Sequence, residues 1–193
     1  MQTLEAIAQR RSIRKFTDTP VADETIRELL HAATLAPSGK NAQPWRFVVV
    51  RGEKRAEMIA VMRAGMDKLK ALGVDLGSSP WTIQIMEHAP VTIFIFNDEM
   101  TLESGEQTLS VQDMVFNSVS VQSVGAAIQN LLLAAHDMGL GTLWICDVFY
   151  AYPELCEWFG ETHQMIAAIS VGHPDEAPSS RPRKSVDEVT LWL

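Results

Sequence analysis

Some segments of this chain have apolar residues at helical spacing and others have them at the spacing of strands, so the sequence predicts a mixed α+β fold. Apolar residues recur three or four positions apart in five segments that we predict to be helices: 3–9, 23–36, 53–72, 118–138 and 153–159. Valine-rich or continuously apolar runs predict strands at 46–51, 90–96, 142–148 and 165–172. Because residues 90–96 are almost all apolar, we expect that strand to be buried on both faces.

The stretches between these elements carry weaker patterns. Residues 37–45 form a polar loop with two prolines, and loops between firm elements often carry ligand-binding groups. Residues 74–88 keep apolar side chains without a period, which predicts an irregular or partly helical excursion. Residues 97–113 are polar and acidic, as in a solvated loop or a substrate lid, and residues 186–193 return to strand-like alternation. No repeat or linker divides the chain, so we expect a single domain over residues 1–193.

Composition limits the class of protein and of partner. With 193 residues, 47% of them hydrophobic, the chain can bury a substantial core. Its formal net charge of -8 argues against a nucleic-acid or anionic-membrane partner. Cys146 and Cys156 are too few for a disulfide scaffold, and neither a signal peptide nor an apolar run of about eighteen residues is recognisable. We therefore expect a soluble, cytoplasmic protein.

Four cations and a hydroxyl group are concentrated in residues 10–16 of this acidic chain. Arg10, Arg11 and Arg14 carry planar donor forks that suit phosphate, and Ser12 adds a small hydroxyl donor. The segment therefore suits a phosphorylated ligand. Taken alone, it favours a simpler interpretation, a solvated helix end whose cations complement the dipole of the first helix.

The usual motifs for nucleotide, metal and nucleophilic chemistry are not matched. Gly139 and Gly141 follow a helix, and Trp144 stands where a dinucleotide-binding fingerprint needs a third glycine. Asn41 stands where a P-loop needs serine or threonine. The five histidines are scattered without ligand spacing, so we predict no metal site. The serines and cysteines lack an adjacent base, so a cofactor supplies the reactive atoms if the protein is an enzyme.

Four separated motifs follow one another along the chain. They are RRSIRKF at 10–16, PSGKNAQPW at 37–45, QNLLLAA at 129–135 and GLGTLWI at 139–145. Together, in order and spacing, they resemble the FMN-dependent nitroreductase family. The resemblance runs from residue 3 to about residue 183 and is weakest over 64–118. Each motif alone is weak, and their coincidence is specific.

The resemblance implies an α+β, nitroreductase-like fold in which a mainly antiparallel central sheet is flanked by helices. It also implies a homodimer with FMN bound at the subunit interface. Residues 64–118 would then form a variable excursion or lid. The tail at 174–193 would be exchanged between subunits, and its end at 185–193 would extend the partner's sheet.

The resemblance further implies which residues contact the cofactor. Arg10, Arg11 and Ser12 would bind the phosphate and ribityl chain of FMN, and Arg14 would approach the pyrimidine side of the flavin ring. The late basic pair, Arg181 and Arg183, would also contact the phosphate. Ser38 and Asn41 would reach FMN from the other subunit, with Gln43 nearby. The backbone amides of the strand end at residues 144–147 (Trp144, Ile145, Cys146 and Asp147) would face the N5 and O4 edge of the flavin.

The implied function is reduction of nitroaromatic, quinone or similar electron-poor acceptors with NADH or NADPH. Flavin N5 would accept hydride from the nicotinamide and pass electrons on in ping-pong turnover, while the protein positions the rings and sets the potential. No side chain is therefore assigned as catalytic. Two alternatives stay open. One is a specialised flavoenzyme of the same fold, such as a dehalogenase, a flavin-fragmenting enzyme or a ring dehydrogenase, and the other is a non-catalytic FMN-binding or storage protein.

The residues around the implied flavin ring leave two alternatives open. Cys146 and Asp147 stand where many relatives have a small or glycine-containing pair, and the charge of Asp147 near the flavin would lower its reduction potential or disfavour anionic acceptors. In the simpler interpretation, Cys146 is a small buried side chain and Asp147 caps the following turn. Likewise, Trp81, Phe116 and Trp144 either stack over the flavin or fill the core.

Overall fold

The computed structural model describes residues 2–101 and 110–193, and in these ranges helices and strands are mixed along the chain. The helices are α1 Thr3–Gln9, α2 Asp23–Thr34, α3 Lys54–Ala71, α4 Ser79–His88, α5 Val111–Asp137, α6 Tyr152–Phe159 and α7 Val186–Val189. The strands are β1 Trp45–Arg51, β2 Val91–Thr101, β3 Gly141–Ile145 and β4 His163–Gly172. Two short 3₁₀ helices span Gly39–Asn41 and Asp147–Ala151. The predicted α+β class is confirmed.

The four strands form one sheet in the order β1-β2-β4-β3. Each neighbouring pair is antiparallel, as the resemblance implied. β2 lies inside the sheet, with Ile95 opposite Phe47 of β1 and opposite Ala167 of β4. Every residue of β2 from Val91 to Asn97 is buried. The prediction of a strand covered on both faces is therefore confirmed.

Helices cover both faces of the sheet. Because successive side chains of a strand point to opposite faces, Phe94 and Phe96 pack into the layer that contains α3, α4 and α6. Ile93 and Ile95 pack instead into the layer of α2 and α5. Full burial of one such side chain stabilises a fold by about 1.5–3 kcal/mol, so both helical layers contribute to the stability of β2.

The polar stretch between the second strand and the long helix differs from its prediction. β2 continues to Thr101, beyond the predicted end at residue 96, and α5 begins at Val111, before the predicted start at 118. The early start has a local cause, because Ser110 and Asp113 form a reciprocal capping box. Residues 102–109, the rest of the predicted loop or lid, lie outside the described residues.

Three further segments differ at least in part from their predictions. The excursion predicted at 74–88 as irregular or partly helical is helical from Ser79 to His88, where α4 has Pro80 in its first turn, a position that tolerates proline. β3 ends at Ile145, because the chain turns into the 3₁₀ helix at Asp147. The predicted strand-like tail contains α7, which begins with a capping box at Ser185 and Glu188. Within the described residues no strand pairs with the tail, so its alternating pattern has no sheet to join.

The basic segment, residues 10–16, lies along the ends of β3 and β4. Ile13 N donates a hydrogen bond to Thr142 O at 2.9 Å, and Thr17 N donates to His173 O at 2.9 Å. Gly141 permits this close approach, because a Cβ at that position would lie 2.8 Å from the Ile13 side chain. The sheet edge therefore holds the segment in an extended form.

α5 is the one described helix that is long and apolar enough, by length and composition, to cross a membrane. Its side chains Val124, Ile128 and Leu131 are fully buried against α2 and the sheet. This packing is that of the core helix of a layered α+β fold.

Candidate functional site

Three arginines from opposite ends of the chain lie near one another. Arg10 and Arg11 follow α1, and Arg183 precedes α7. Burial lowers the pKa of Arg10, and the charges of Arg183 and Arg11 lower it further. Among residues 2–101 and 110–193, none of the three forms an ion pair with a carboxylate. Clustered cations without a counter-charge favour the binding of an anion.

Arg11 is also engaged with its own helix. Its Nη1 atom donates to Ala8 O at 2.8 Å and to Arg10 O at 2.9 Å. These carbonyls lie at the C-terminal end of α1, where a cation complements the helix dipole. The helix-end interpretation therefore describes the Arg11 side chain, and a phosphate role for Arg11 stays a prediction. Arg181, in contrast, is exposed and has no hydrogen bond or ion pair to any described residue.

A cavity of about 390 Å³ opens beside the start of the basic segment. Arg10 and Arg11 line it together with Thr142, His136 and Glu176. The Nε2 atom of His136 is buried and has no hydrogen-bond partner among the described residues. The cavity wall thus carries the cations of the basic segment, the Glu176 carboxylate and apolar side chains such as Ile13.

Arg14 is held through both its backbone and its side chain. Its backbone N donates to Glu176 Oε1 at 2.5 Å, and its Nη1 atom donates to Ser12 O at 3.3 Å. Its guanidinium carbon lies 5.8 Å from the centroid of the Trp81 ring, within cation–π range. Ser12 and Arg14 are two residues apart in an extended segment, so they lie on the same face of it.

The end of β3 presents the third group of predicted residues. Trp144 and Cys146 are exposed and Ile145 is buried, as the alternation of a strand dictates. The interpretation of Cys146 as a small buried side chain is therefore wrong. The Asp147 carboxylate accepts a hydrogen bond from the Thr82 hydroxyl of α4. No side-chain capping bond begins the 3₁₀ helix, so Asp147 is not the cap that the sequence suggested.

The three candidate aromatic residues all lie at the surface. Trp81, Phe116 and Trp144 are 52%, 50% and 38% exposed, so none of them fills the core. Trp81 contacts Arg14, as described above. Phe116 lies under the Lys40 side chain, whose Nζ atom is 5.7 Å from the ring centroid. A stacking role at the flavin stays a prediction for all three.

The polar loop before β1 is backbone-strained. Its residues with left-handed φ angles are Lys40 at 52°, Asn41 at 58° and Gln43 at 53°. Such conformations cost about 1–3 kcal/mol each for residues other than glycine, and they concentrate at functional sites. Ser38 Oγ accepts a hydrogen bond from Gln43 N at 3.0 Å, which closes the loop. Gly39 N donates to Ser123 Oγ of α5 at 3.2 Å, so the loop rests on that helix.

The structure brings the predicted residues together in two separate groups. Arg10, Arg183, Ser12 and Arg14 lie around the basic segment, beside the start of β3. Among the described residues, no hydrogen bond or ion pair joins the loop at 38–43 to that group. One chain therefore presents the predicted residues as two groups.

Two polar residues of the site, Thr82 and Glu176, are not identified by the sequence. Thr82 lies 65 residues from its partner Asp147, and Glu176 lies 162 residues from its partner Arg14. The one local signal is that Thr82 is a polar residue on the mainly apolar, buried side of α4. Neither partner can be found from spacing along the chain.

Comparison with known proteins decides the family. The model of the Nitroreductase family matches residues 7–173 of this chain, which include the basic segment, the strained loop and β3. The chain belongs to the Nitroreductase family. The resemblance that the four motifs carried is thereby confirmed.

Individual relatives agree with this assignment. The chain is 31% identical over 195 residues to a Methanothermobacter thermautotrophicus protein named as a candidate NADH dehydrogenase/NAD(P)H nitroreductase, with 99% of this chain and 87% of the relative covered. It is 31% identical over 183 residues to the 5,6-dimethylbenzimidazole synthase of Rhodospirillum rubrum, with coverages of 90% and 82%. A candidate nitroreductase from Desulfovibrio desulfuricans, solved in complex with FMN, superimposes with a TM-score of 0.77 at 32% identity, with coverages of 100% and 97%.

Proposed function

We propose that this nitroreductase-family enzyme binds FMN and uses NADH or NADPH to reduce nitroaromatic, quinone or similar electron-poor acceptors. The observation that carries the proposal is the approach of Arg183 to Arg10, with no carboxylate partner for either among the described residues. Such a cluster supplies the counter-charge and the donors that a phosphate group requires. The FMN complex of the Desulfovibrio protein and the name of the Methanothermobacter relative support the same cofactors.

The neighbouring residues fit the rest of FMN. Ser12 shares a face with Arg14 and can donate to the ribityl chain. The charge of Arg14 at the pyrimidine side would stabilise the negative charge that develops on the ring during reduction. The exposed end of β3, around Cys146, offers backbone amides for the opposite edge. When bound, FMN supplies N5 as the atom that accepts hydride and returns it, and the protein orients the ring and tunes its potential.

The proposed enzyme is a homodimer. The first half of α5 exposes a row of apolar side chains that are between 41% and 57% exposed: Met114, Val115, Phe116 and Val119. An apolar patch of this kind marks an interaction surface. The strained loop rests on the same helix, so a partner that docks there would receive Ser38 and Asn41 of this chain at its own basic segment. The tail residues 191–193 are also exposed and apolar, which suits exchange with the partner's sheet.

We further propose that residues 1–193 act as one FMN-binding domain in the cytoplasm. The single sheet with helices on both faces supports one domain. Two free cysteines suit a reducing compartment. Residues 64–118 would contribute the lid, and residues 174–193 the exchanged tail.

A second candidate is a specialised flavoenzyme of the same fold. The 5,6-dimethylbenzimidazole synthase of Rhodospirillum rubrum, which is 31% identical to this chain, favours that alternative. A third candidate, an FMN-storage protein, would bind the cofactor without turnover.

The visible spectrum of the purified protein, recorded before and after anaerobic addition of NADH or NADPH, separates these candidates. We expect flavin bands that bleach with one or both nucleotides, and catalytic oxidation of that nucleotide when a nitroarene or quinone is added. Bleaching without turnover of either acceptor would favour the specialised enzyme. Bound FMN that neither nucleotide reduces would favour storage, and no flavin bands after incubation with FMN would refute the assignment.

A further inference from the structure

One helix contacts two charged residues that belong to opposite edges of the proposed flavin site. Trp81 and Thr82 are adjacent in α4. The Trp81 ring lies 5.8 Å from the guanidinium carbon of Arg14, and the Thr82 hydroxyl donates to the Asp147 carboxylate. Arg14 belongs to the basic segment, and Asp147 follows β3. α4 therefore connects the cationic side of the site to its anionic side.

The Thr82 contact is rigidly supported on both sides. Thr82 is only 8% exposed, and the next residue, Ile83, is packed in the core, so rotation of α4 cannot turn the hydroxyl toward solvent. Asp147 is half-buried and is followed by Val148, which is fully buried. A hydroxyl donor to a carboxylate forms a charge-assisted bond, which is stronger than a neutral one. The carboxylate is thus kept at one place at the end of β3.

A fixed carboxylate at this place has an electrostatic consequence. Reduction adds negative charge to a flavin ring, and a neighbouring negative charge opposes that change, whereas Arg14 favours it. A carboxylate that is held in place also repels an acceptor that carries its own negative charge. The two charged residues that α4 contacts, Arg14 and Asp147, would therefore change the reduction potential of the flavin in opposite directions.

We propose that Thr82 is a positioning residue that holds the Asp147 carboxylate beside the flavin, where its charge lowers the reduction potential of bound FMN and selects against anionic acceptors. The inference rests on the proposed FMN-dependent function. The competing explanation is that the Thr82–Asp147 bond only joins α4 to the following 3₁₀ helix and affects stability alone.

Three variants of the FMN-loaded protein separate these explanations. Asp147→Asn keeps the shape and one acceptor but removes the charge, Thr82→Val keeps the shape but removes the donor, and Thr82→Ser keeps the donor. For Asp147→Asn we expect the ratio of Kd for oxidised FMN to Kd for reduced FMN to rise about tenfold, which is about 30 mV for a two-electron couple. Thr82→Val should shift the potential in the same direction, because the released carboxylate turns away from the flavin to water. Thr82→Ser should match the wild type.

The double variant tests whether Thr82 acts through Asp147. In the Asp147→Asn background, Thr82→Val should add no further change in potential, because the charge that it positions is gone. Asp147→Asn should also raise kcat/KM for a carboxylate-bearing nitroarene relative to a neutral one.

Each other outcome would overturn the inference. An unchanged potential in Asp147→Asn, or an equal effect of Thr82→Val in both backgrounds, would leave Thr82 with a structural role only. If Thr82→Val fails to fold, the outcome is decided by Asp147→Asn alone, from its reduction potential and from its ratio of kcat/KM for a carboxylate-bearing nitroarene to that for a neutral one. A wild-type protein that binds no FMN would overturn the proposed function as well, whereas a wild-type holoenzyme with an unchanged Asp147→Asn variant would overturn this inference only.

Discussion

At the scale of single residues, the arginines of the basic segment have different surroundings despite their shared chemistry. Arg11 is engaged by the carbonyls at the end of α1. Burial and the neighbouring charges of Arg183 and Arg11 lower the pKa of Arg10, and Arg14 is fixed by Glu176 and Trp81. We therefore expect Arg10 and Arg183 to bind the phosphate and Arg14 to act on the ring.

Replacement of both Arg10 and Arg183 by alanine should remove most FMN binding. A hydrogen bond to a charged group contributes about 1.5–3 kcal/mol, so the loss of two should raise the Kd for FMN on the order of a hundredfold or more. Fluorescence titration of the apoprotein with FMN measures this change. Arg27→Ala, which removes an exposed cation from α2, is the matched control and should bind as the wild type does. Equal affinity in the double variant would refute the phosphate role.

Arg14→Ala should retain bound FMN but slow its reduction. The phosphate contacts remain, whereas the positive charge that stabilises the reduced ring is lost, and a loss of about 1.4 kcal/mol in the transition state lowers the rate about tenfold. Anaerobic stopped-flow reduction by NADH or NADPH measures the rate. Arg14→Lys keeps the positive charge and should recover part of the rate of flavin reduction. Loss of FMN with a normal rate in the residual holoenzyme would contradict the assignment.

At the scale of elements, two contacts fix the strands that frame the site. Glu161, before β4, has a side chain that is only 6% exposed and accepts from Arg46 Nε of β1 at 2.7 Å and from His163 Nδ1 at 2.5 Å. Gly141, at the start of β3, permits the approach of Ile13. The first contact fixes β1 just after the strained loop, and the second positions the basic segment.

The Glu161 contact should make the free energy of unfolding depend on pH in the acidic range. Burial raises the pKa of Glu161, but the hydrogen bonds from His163 and the charge of Arg46 outweigh it, so the pKa in the folded protein lies below the ordinary value of 4.5. Its contribution is therefore fully present above pH 4.5 and is lost as the pH falls through the lower, folded-state pKa.

Glu161→Gln tests this contribution by urea unfolding at several pH values. We expect a loss of about 1–3 kcal/mol at pH 7 and a shallower decline in stability below pH 4.5. Glu53→Gln, an exposed glutamate, is the control and should leave the profile unchanged. An unaltered pH profile in Glu161→Gln would show that the cluster adds no pH-dependent stability.

Gly141→Ala should displace the basic segment. The new methyl group would lie 2.8 Å from Ile13, and overpacking of this kind costs about 1–3 kcal/mol. We expect lower stability in urea together with weaker FMN binding, since Ser12 and Arg14 flank Ile13. Ile13→Ala in the same background should recover part of the binding. Wild-type affinity for FMN in Gly141→Ala would show that the segment adapts to the added methyl group.

At the scale of the whole molecule, the proposed site would be shared between two chains. The strained loop rests on α5, and the basic segment rests on β3 and β4. The exposed apolar side chains of α5 lie beside the loop, so one docking event would cover the patch and bring the two halves together.

Val115→Asp should convert a dimer to monomers that bind FMN poorly. Val115 is 57% exposed on α5, so a charge there should not disturb the fold of one chain but would be buried without a partner in the interface. Sedimentation velocity and FMN titration measure the two effects. Leu72→Asp, at a position 78% exposed beyond α3, is the control and should stay dimeric. A Val115→Asp dimer with normal FMN affinity would place the interface elsewhere.

The sequence by itself determined the types of most elements, the buried position of β2 and the family. These conclusions rest on local information, because periodicity records which side of an element is buried and each motif lies within a few consecutive residues. The ends of elements were less well predicted, since polar residues such as those of β2 after residue 96 suit strand and loop equally.

Only the tertiary structure decided which side chains meet. It paired Thr82 with Asp147 and Arg14 with Glu176, exposed Cys146, and brought Arg183 to Arg10. Among the described residues it also paired no strand with residues 186–193, which begin with the capped helix α7 and end in exposed side chains. The physical reason is the same in each case: these outcomes depend on which distant segment lies alongside, and no spacing along the chain records that neighbour.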